Sequence, residues 1–162
     1  MSNIFLPRTF VNNVFDIDIQ KLKAEGVKAF IFDIDNTLAT YAMPIPDERT
    51  ALWIKGLKDE GFGVYLISNN NSKRVKTFAE SVGVEYFARA LKPCSFFLEK
   101  ACKNMGVLPK ETALVGDQLF TDVWGGNYLK MHTILVNPIS EVEDGFVKFK
   151  RKFERAILKN MK

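Results

Sequence analysis

Two carboxylates, Asp33 and Asp35, stand two residues apart at the end of a continuous apolar run over residues 28–34. Such a run reads as a strand buried on both faces of a parallel sheet. Side chains alternate across a strand, so the two acids start on one side. Like charges at a buried strand end are costly unless a cation or proton lies between them. A plain turn competes with this reading, because Asp35-Asn36 is also an ordinary turn signal. Residues 28–38 alone leave the two readings even.

Further along, an apolar strand over 63–68 ends in Ser68, followed by Asn69. Lys92-Pro93 follows a short strand over 86–90, and a strand over 112–115 ends in Gly116-Asp117, with Asp122 five residues on. Open α/β sheets hold their ligands beyond the carboxyl ends of the strands. An acid pair, a hydroxyl, a lysine and a second acid pair on successive strand ends therefore make one candidate site. Clustered carboxylates suit Mg2+, and with a single histidine, His132, no Cys/His set favours zinc. Lys92, the Ser68 hydroxyl and backbone N–H groups near Asn36 and Asn69 can hold phosphate oxygens. The residue types thus suit phosphoryl transfer.

Each candidate has a plainer alternative. Residues 69–71 can simply cap the helix over 73–82; capping is favoured for Asn70 and Asn71, with a shared role for Asn69. Asp122 can be the N-cap of a helical turn over 123–128, although a metal-site role is favoured. Lys92 can be solvated surface. Trp124, Tyr128 and His132 read as packing or supporting groups rather than ligands.

The elements that must position these residues alternate between strand and helix. Helices are expected over 17–25, from Asp47 to Gly61 with Leu52, Trp53, Ile54 and Leu57 facing the core, over 73–82, from Pro93 to Gly106, and over 145–159. A fifth strand covers 133–136. Five strands in this pattern imply right-handed crossovers and an open parallel sheet, a three-layer α/β/α sandwich. The length suits one domain over 1–162, with an apolar N-terminal packing arm (1–26) and a basic C-terminal helix (about 141–162). Nothing resembles a signal peptide or a membrane span. Cys94 and Cys102 show no pairing framework and read as small apolar residues of one helix in a reducing cytosol.

The net charge is +4, yet residues 148–162 hold seven basic residues against one acid, so the rest of the chain is slightly acidic. That argues against a nucleic-acid surface. The expected terminal helix docks Phe146, Phe149, Phe153 and Ile157 on the sheet and leaves Lys148, Arg151, Lys152 and Arg155 solvated. A contact with anionic phospholipid, peripheral at the inner face of a membrane, is the sharper but less favoured alternative. Self-association stays open.

The order of these residues resembles the haloacid dehalogenase superfamily over about 27–136. Residues 33–38 are similar to its DxDxT motif, Ser68 to the second, Lys92 to the third, and Gly116, Asp117 and Asp122 to the GDxxxxD form of the fourth. The resemblance implies a parallel Rossmann-like sheet, Asp33 as nucleophile, and Asp35 as acid/base whose backbone carbonyl also binds Mg2+. It implies that Asp117 and Asp122 complete the metal site, and that Ser68 and Lys92, with Asn36 and Asn69, hold phosphate. An acid at position 35 points to phosphomonoester hydrolysis, since an alkoxide needs a proton on leaving and a halide does not. No gap between motifs holds a cap domain, so only 39–45, with Tyr41 and Met43, can cover the site. The opening at 13–19, residues 116–122 and the basic tail are similar to the YqeG-type phosphatases of subfamily IIIA. Some relatives of that group act on phosphatidylglycerophosphate. Two other readings remain: a partner- or membrane-binding module retaining the site, and a phosphoacceptor domain of the receiver type, whose motif order differs.

Overall fold

The structure, a computed structural model, describes residues 3–140 and 145–159. Six strands form one wholly parallel sheet: β1 (Thr9–Val11), β2 (Ala29–Phe32), β3 (Gly63–Ile67), β4 (Glu85–Phe87), β5 (Thr112–Gly116) and β6 (His132–Val136). Their order is β1-β6-β5-β2-β3-β4. From β2 the chain crosses to β3 and β4 on one side and later to β5 and β6 on the other. The strand order therefore reverses beside β2, where such sheets bind ligands.

Strand β2 is central because its sequence leaves it no exposed face. Ala29, Phe30, Ile31 and Phe32 are all fully buried. Phe30 and Phe32 stack on one face, with centroids 5.7 Å apart. There they meet Leu22 of α1 (Ile19–Ala24), Ile54 and Leu57 of α2 (Glu48–Asp59) and Phe78 of α3 (Ser72–Val82). Ile31 faces the other way, toward Leu98, Ala101 and Cys102 of α4 (Phe96–Met105). Each large apolar side chain removed from water contributes about 1.5–3 kcal/mol. Short α5 (Trp124–Tyr128) and α6 (Gly145–Lys159) complete the helices. The layers form the expected α/β/α sandwich, and the β2–β3 connection carries only a loop and α2, with no inserted cap.

Local signals explain the helix ends. Asp47 caps α2 by accepting from the Thr50 N–H at 2.8 Å, and Asn71 caps α3 by accepting from Arg74 N–H at 3.0 Å. Gly83 and Gly106 end α3 and α4 in left-handed conformation.

Several expectations change. The N-terminal arm contributes an edge strand, β1, which is short enough to escape a periodicity reading. Its Thr9 hydroxyl bonds His132 Nε2 at 3.0 Å, so the single histidine ties β1 to β6, and burial holds its pKa below the usual value. Leu52 is exposed rather than core. Helix α4 starts three residues after Pro93, which leaves Cys94 outside it and exposed, while Cys102 is buried. Residues 119–123 form a π-helical turn leading into α5. Parts of the expected terminal helix at 141–144 and 160–162, and the Phe146 side chain, lie outside the described residues.

The described part of α6 does not dock as its pattern suggested. Phe149 is 60% exposed and Phe153 53% exposed, and the two pair edge-to-face at 5.1 Å. The inward face is instead Arg151 and Glu154, both buried, with Ile157 and Leu158 packed on Leu119, Val123 and Leu135.

Candidate active site

The carboxyl ends of β2, β3 and β5 bring the predicted residues together. Asp33 stays on the ladder, its N–H donating to Val115 O at 2.9 Å. The chain then turns sharply. The Ile34 carbonyl accepts from the N–H groups of Thr37, Leu38 and Ala39, at 3.1, 2.9 and 3.1 Å. Asn36 adopts φ 60°, a left-handed conformation that asparagine tolerates. This turn separates two acids that sequence places two residues apart.

Asp33 points into a carboxylate cluster. Oxygens of Asp33, Asp117 and Asp122, all buried, lie within 4.8 Å of one another. Lys92 Nζ bridges Asp33 Oδ1 at 2.9 Å and Asp122 Oδ1 at 2.6 Å. Asp122 Oδ2 accepts from the Gln118 N–H at 3.2 Å, and Asp117 Oδ1 from the Thr37 hydroxyl at 3.3 Å. A Cβ on Gly116 would come 2.2 Å from Asp122 Cγ, so only glycine lets Asp122 fold back over the end of β5.

The electrostatics follow from burial. Loss of water pushes the Asp33 pKa well above its ordinary value, and Asp122 and Asp117 add to the rise against the pull of Lys92. Burial, with help from Asp122, raises Asp117 to about 6 against Arg151. Lys92 is driven the other way: burial would lower its pKa, but Asp122 and Asp33 outweigh that and raise it. The lysine is therefore held as a cation. Three buried, mutually repelling carboxylates with oxygen donors fit a hard divalent cation. The Asp35 carboxylate is not part of this cluster.

Asp35 faces a different set of partners. Arg74 holds its Oδ1 through Nε at 2.8 Å and Nη2 at 2.7 Å, and Asn70 Nδ2 donates to Oδ2 at 2.9 Å. The same guanidinium reaches the carbonyls of Met43 at 2.7 Å and Thr40 at 2.9 Å. It thereby fastens the covering loop to Asp35. Tyr41 on this loop is partly exposed, and Met43 packs against the core.

Ser68 is buried at the end of β3, and its Oγ accepts from Asn70 N–H at 3.1 Å. Asn69 positions Lys92: its Oδ1 accepts from Lys92 N–H at 2.8 Å, and its Nδ2 donates to Lys92 O at 3.4 Å. Asn36 is fully buried; its N–H goes to Ala39 O at 2.7 Å, and its Oδ1 accepts from Ser140 N–H at 3.2 Å. These bonds give Asn36 a turn-forming role and leave that N–H engaged within the loop. Asn70, expected to cap, accepts at Oδ1 from the N–H of the capping residue Asn71 at 2.7 Å and turns its Nδ2 to Asp35.

The sequence offered no sign of Arg74, gave Thr37 only as the last residue of the DxDxT pattern, and put Arg151 on the wrong face of its helix. Arg74 was visible only as a residue of the first turn of α3. Arg151, expected on the solvated face, is buried with Nη2 bonded to Asp117 Oδ2 and Nη1 to Asp117 O at 2.8 Å. No local pattern links residues so far apart in the chain.

A family model described as HAD-hydrolase-like matches residues 90–138. The Bacillus subtilis protein named probable phosphatase YqeG is 41% identical over all of this chain and 94% of its own. Phosphatidylglycerophosphate phosphatase 1, chloroplastic/mitochondrial, of Arabidopsis thaliana is 30% identical over 95% of this chain, which spans 47% of that protein. Among solved structures, the cobalt-bound deoxy-D-mannose-octulosonate 8-phosphate phosphatase of Haemophilus influenzae superposes with TM-score 0.59 at 22% identity, covering 85% of this chain and 90% of that one. The fold and these relatives place the chain among phosphatases of the haloacid dehalogenase type, and within that class it belongs to the YqeG family.

Proposed function

We propose that the protein is a Mg2+-dependent phosphomonoester hydrolase working through an aspartyl-phosphate. Its proposed substrate is borne on a membrane lipid, with phosphatidylglycerophosphate as the candidate. The observation that carries the reaction is the split between the two acids of the first motif. Asp33 sits among the cluster acids and Lys92, while Asp35 is turned to Arg74 and Asn70.

In this reading an Asp33 oxygen attacks phosphorus and the ester P–O bond breaks. Asp35, as general acid, gives a proton to the departing alkoxide. Asp35 then takes a proton from water, and that water attacks phosphorus. The Asp33–phosphorus bond breaks, releasing inorganic phosphate. Lys92 and Ser68 hold the phosphoryl oxygens. Asp33, Asp117 and Asp122, with the Asp35 carbonyl, would hold Mg2+, which would supply charge neutralisation for nucleophile and phosphate alike.

Support for a lipid substrate comes from the Arabidopsis relative, the lack of a cap among the described residues, and the outer face of α6. Exposed Phe149 and Phe153 lie beside exposed Lys148, Lys152, Arg155 and Lys159, and the helix's one acid, Glu154, is buried. Aromatic groups flanked by cations suit an anionic bilayer surface. No helix of the described residues is long and apolar enough to cross a membrane. The test is phosphate release, with and without Mg2+, from phosphatidylglycerophosphate in mixed micelles beside sugar phosphates and nucleotides. Mg2+-dependent release highest on the lipid is expected. Release confined to small soluble esters contradicts the lipid assignment.

A further inference from the structure

Helix α6 grips the loop that displays Asp117 and Asp122. Lys150 Nζ reaches Gln118 Oε1 at 3.2 Å. Arg151 bonds both the carboxylate and, at 2.8 Å, the carbonyl of Asp117. Glu154 Oε1, one turn on, accepts from Phe120 N–H at 3.2 Å, and its Oε2 lies 3.9 Å from Arg151 Nη1. Three α6 side chains thus hold Asp117, Gln118 and Phe120 in a row. Among the described α6 side chains, only that of Arg151 touches a residue of the carboxylate cluster.

Resting on the metal-dependent reading above, we propose that Arg151 is a positioning residue of the divalent-cation site. It fixes the side chain and the main chain of Asp117 with one rigid planar group, so α6 belongs to the catalytic unit rather than to its periphery. A guanidinium suits the task because its donors are set in a fixed fork. The Thr37 hydroxyl on Oδ1 and Arg151 on Oδ2 together hold the Asp117 carboxylate from both sides. Groups that orient a metal ligand are worth about 10- to 100-fold in metal affinity.

The experiment is calorimetric titration of the full chain with Mn2+ and Mg2+, using wild type, Arg151→Gln, Arg151→Lys and, as an exposed control on the same helix, Lys152→Gln. Circular-dichroism melts establish that each variant is folded. Arg151→Gln is expected to bind metal about 10- to 100-fold more weakly. Arg151→Lys, which keeps the charge but not the fork, should fall between it and wild type, and Lys152→Gln should match wild type. Wild-type affinity in folded Arg151→Gln overturns the inference. Should Arg151→Gln fail to fold, wild-type affinity in Arg151→Lys overturns it equally. A wild-type chain that binds neither metal contradicts the metal-dependent reading itself, which keeps the two failures apart.

Discussion

Asp33 and Asp35 are separated by one residue and live in opposite surroundings. Asp33 is enclosed with Asp117, Asp122 and the Lys92 cation. Asp35 is held outside that cluster by Arg74 and Asn70, at the hinge of a covering loop. Identical side chains acquire different duties when their environments differ. Here a single left-handed residue, Asn36, and the turn around Ile34 O create the difference. The proposed mechanism follows from it: the clustered acid is placed for attack at phosphorus, and the acid facing the loop for proton traffic with leaving group and water.

Substitutions should break this comparison unequally. Asp33→Asn is expected to remove turnover, by about 10⁶-fold, in a phosphate-release assay. Asp35→Asn should cost about 10²- to 10⁴-fold on alkyl phosphates. On p-nitrophenyl phosphate, whose leaving group needs no proton, a rapid first release of p-nitrophenol should survive in stopped-flow traces. Arg74→Gln removes the guanidinium's bonds to Asp35 and to the loop over 39–45, and should lower kcat by about 10²-fold, with metal affinity by titration unchanged. Ser68→Ala removes one hydrogen-bonding group from the phosphoryl oxygens and should weaken kcat/KM by about 10- to 100-fold.

A smaller effect concerns pH. The folded-state pKa of Asp117 is raised to about 6 from an ordinary 3.8. A raised carboxylate pKa means the folded state binds the proton more tightly than the unfolded state. This group's contribution to stability is therefore fully present below about pH 3.8 and is lost as pH rises through about 6. A cation that neutralises the cluster offsets that loss. The gain in Tm on adding Mg2+ should thus be larger at pH 7.5 than at pH 5, as measured by thermal denaturation. An equal gain at both pH values would place the cation elsewhere.

Much of this was legible in the chain. The apolar runs ending in Asp33, Ser68 and Asp117 marked the central strands, because strands buried on both faces leave unbroken hydrophobic segments. The order of polar strand ends then pointed to the candidate site. What the sequence concealed lies in contacts between distant segments. Arg74 reaches Asp35 only because α3 starts where β3 ends beside β2. Arg151 reaches Asp117 only because α6 returns over the end of β5. The periodicity of α6 was visible, but periodicity identifies an amphipathic helix without saying which stripe faces inward. A buried ion pair with Asp117 and the Glu154 contact to Phe120 turned the charged stripe in and left Phe149 and Phe153 out. Edge strand β1, three residues long, offered too few positions for any pattern.

The central claim is that Asp33 carries the phosphoryl group while Asp35 moves protons. Mass spectrometry of Asp35→Asn, acid-quenched during reaction with p-nitrophenyl phosphate and Mg2+, tests it most directly. Formation of the intermediate needs no proton donor with this substrate, but its hydrolysis lacks a base. The account predicts one added phosphoryl group on the peptide containing Asp33. Continued release of p-nitrophenol with that peptide unmodified, and undiminished in Asp33→Asn, would contradict it.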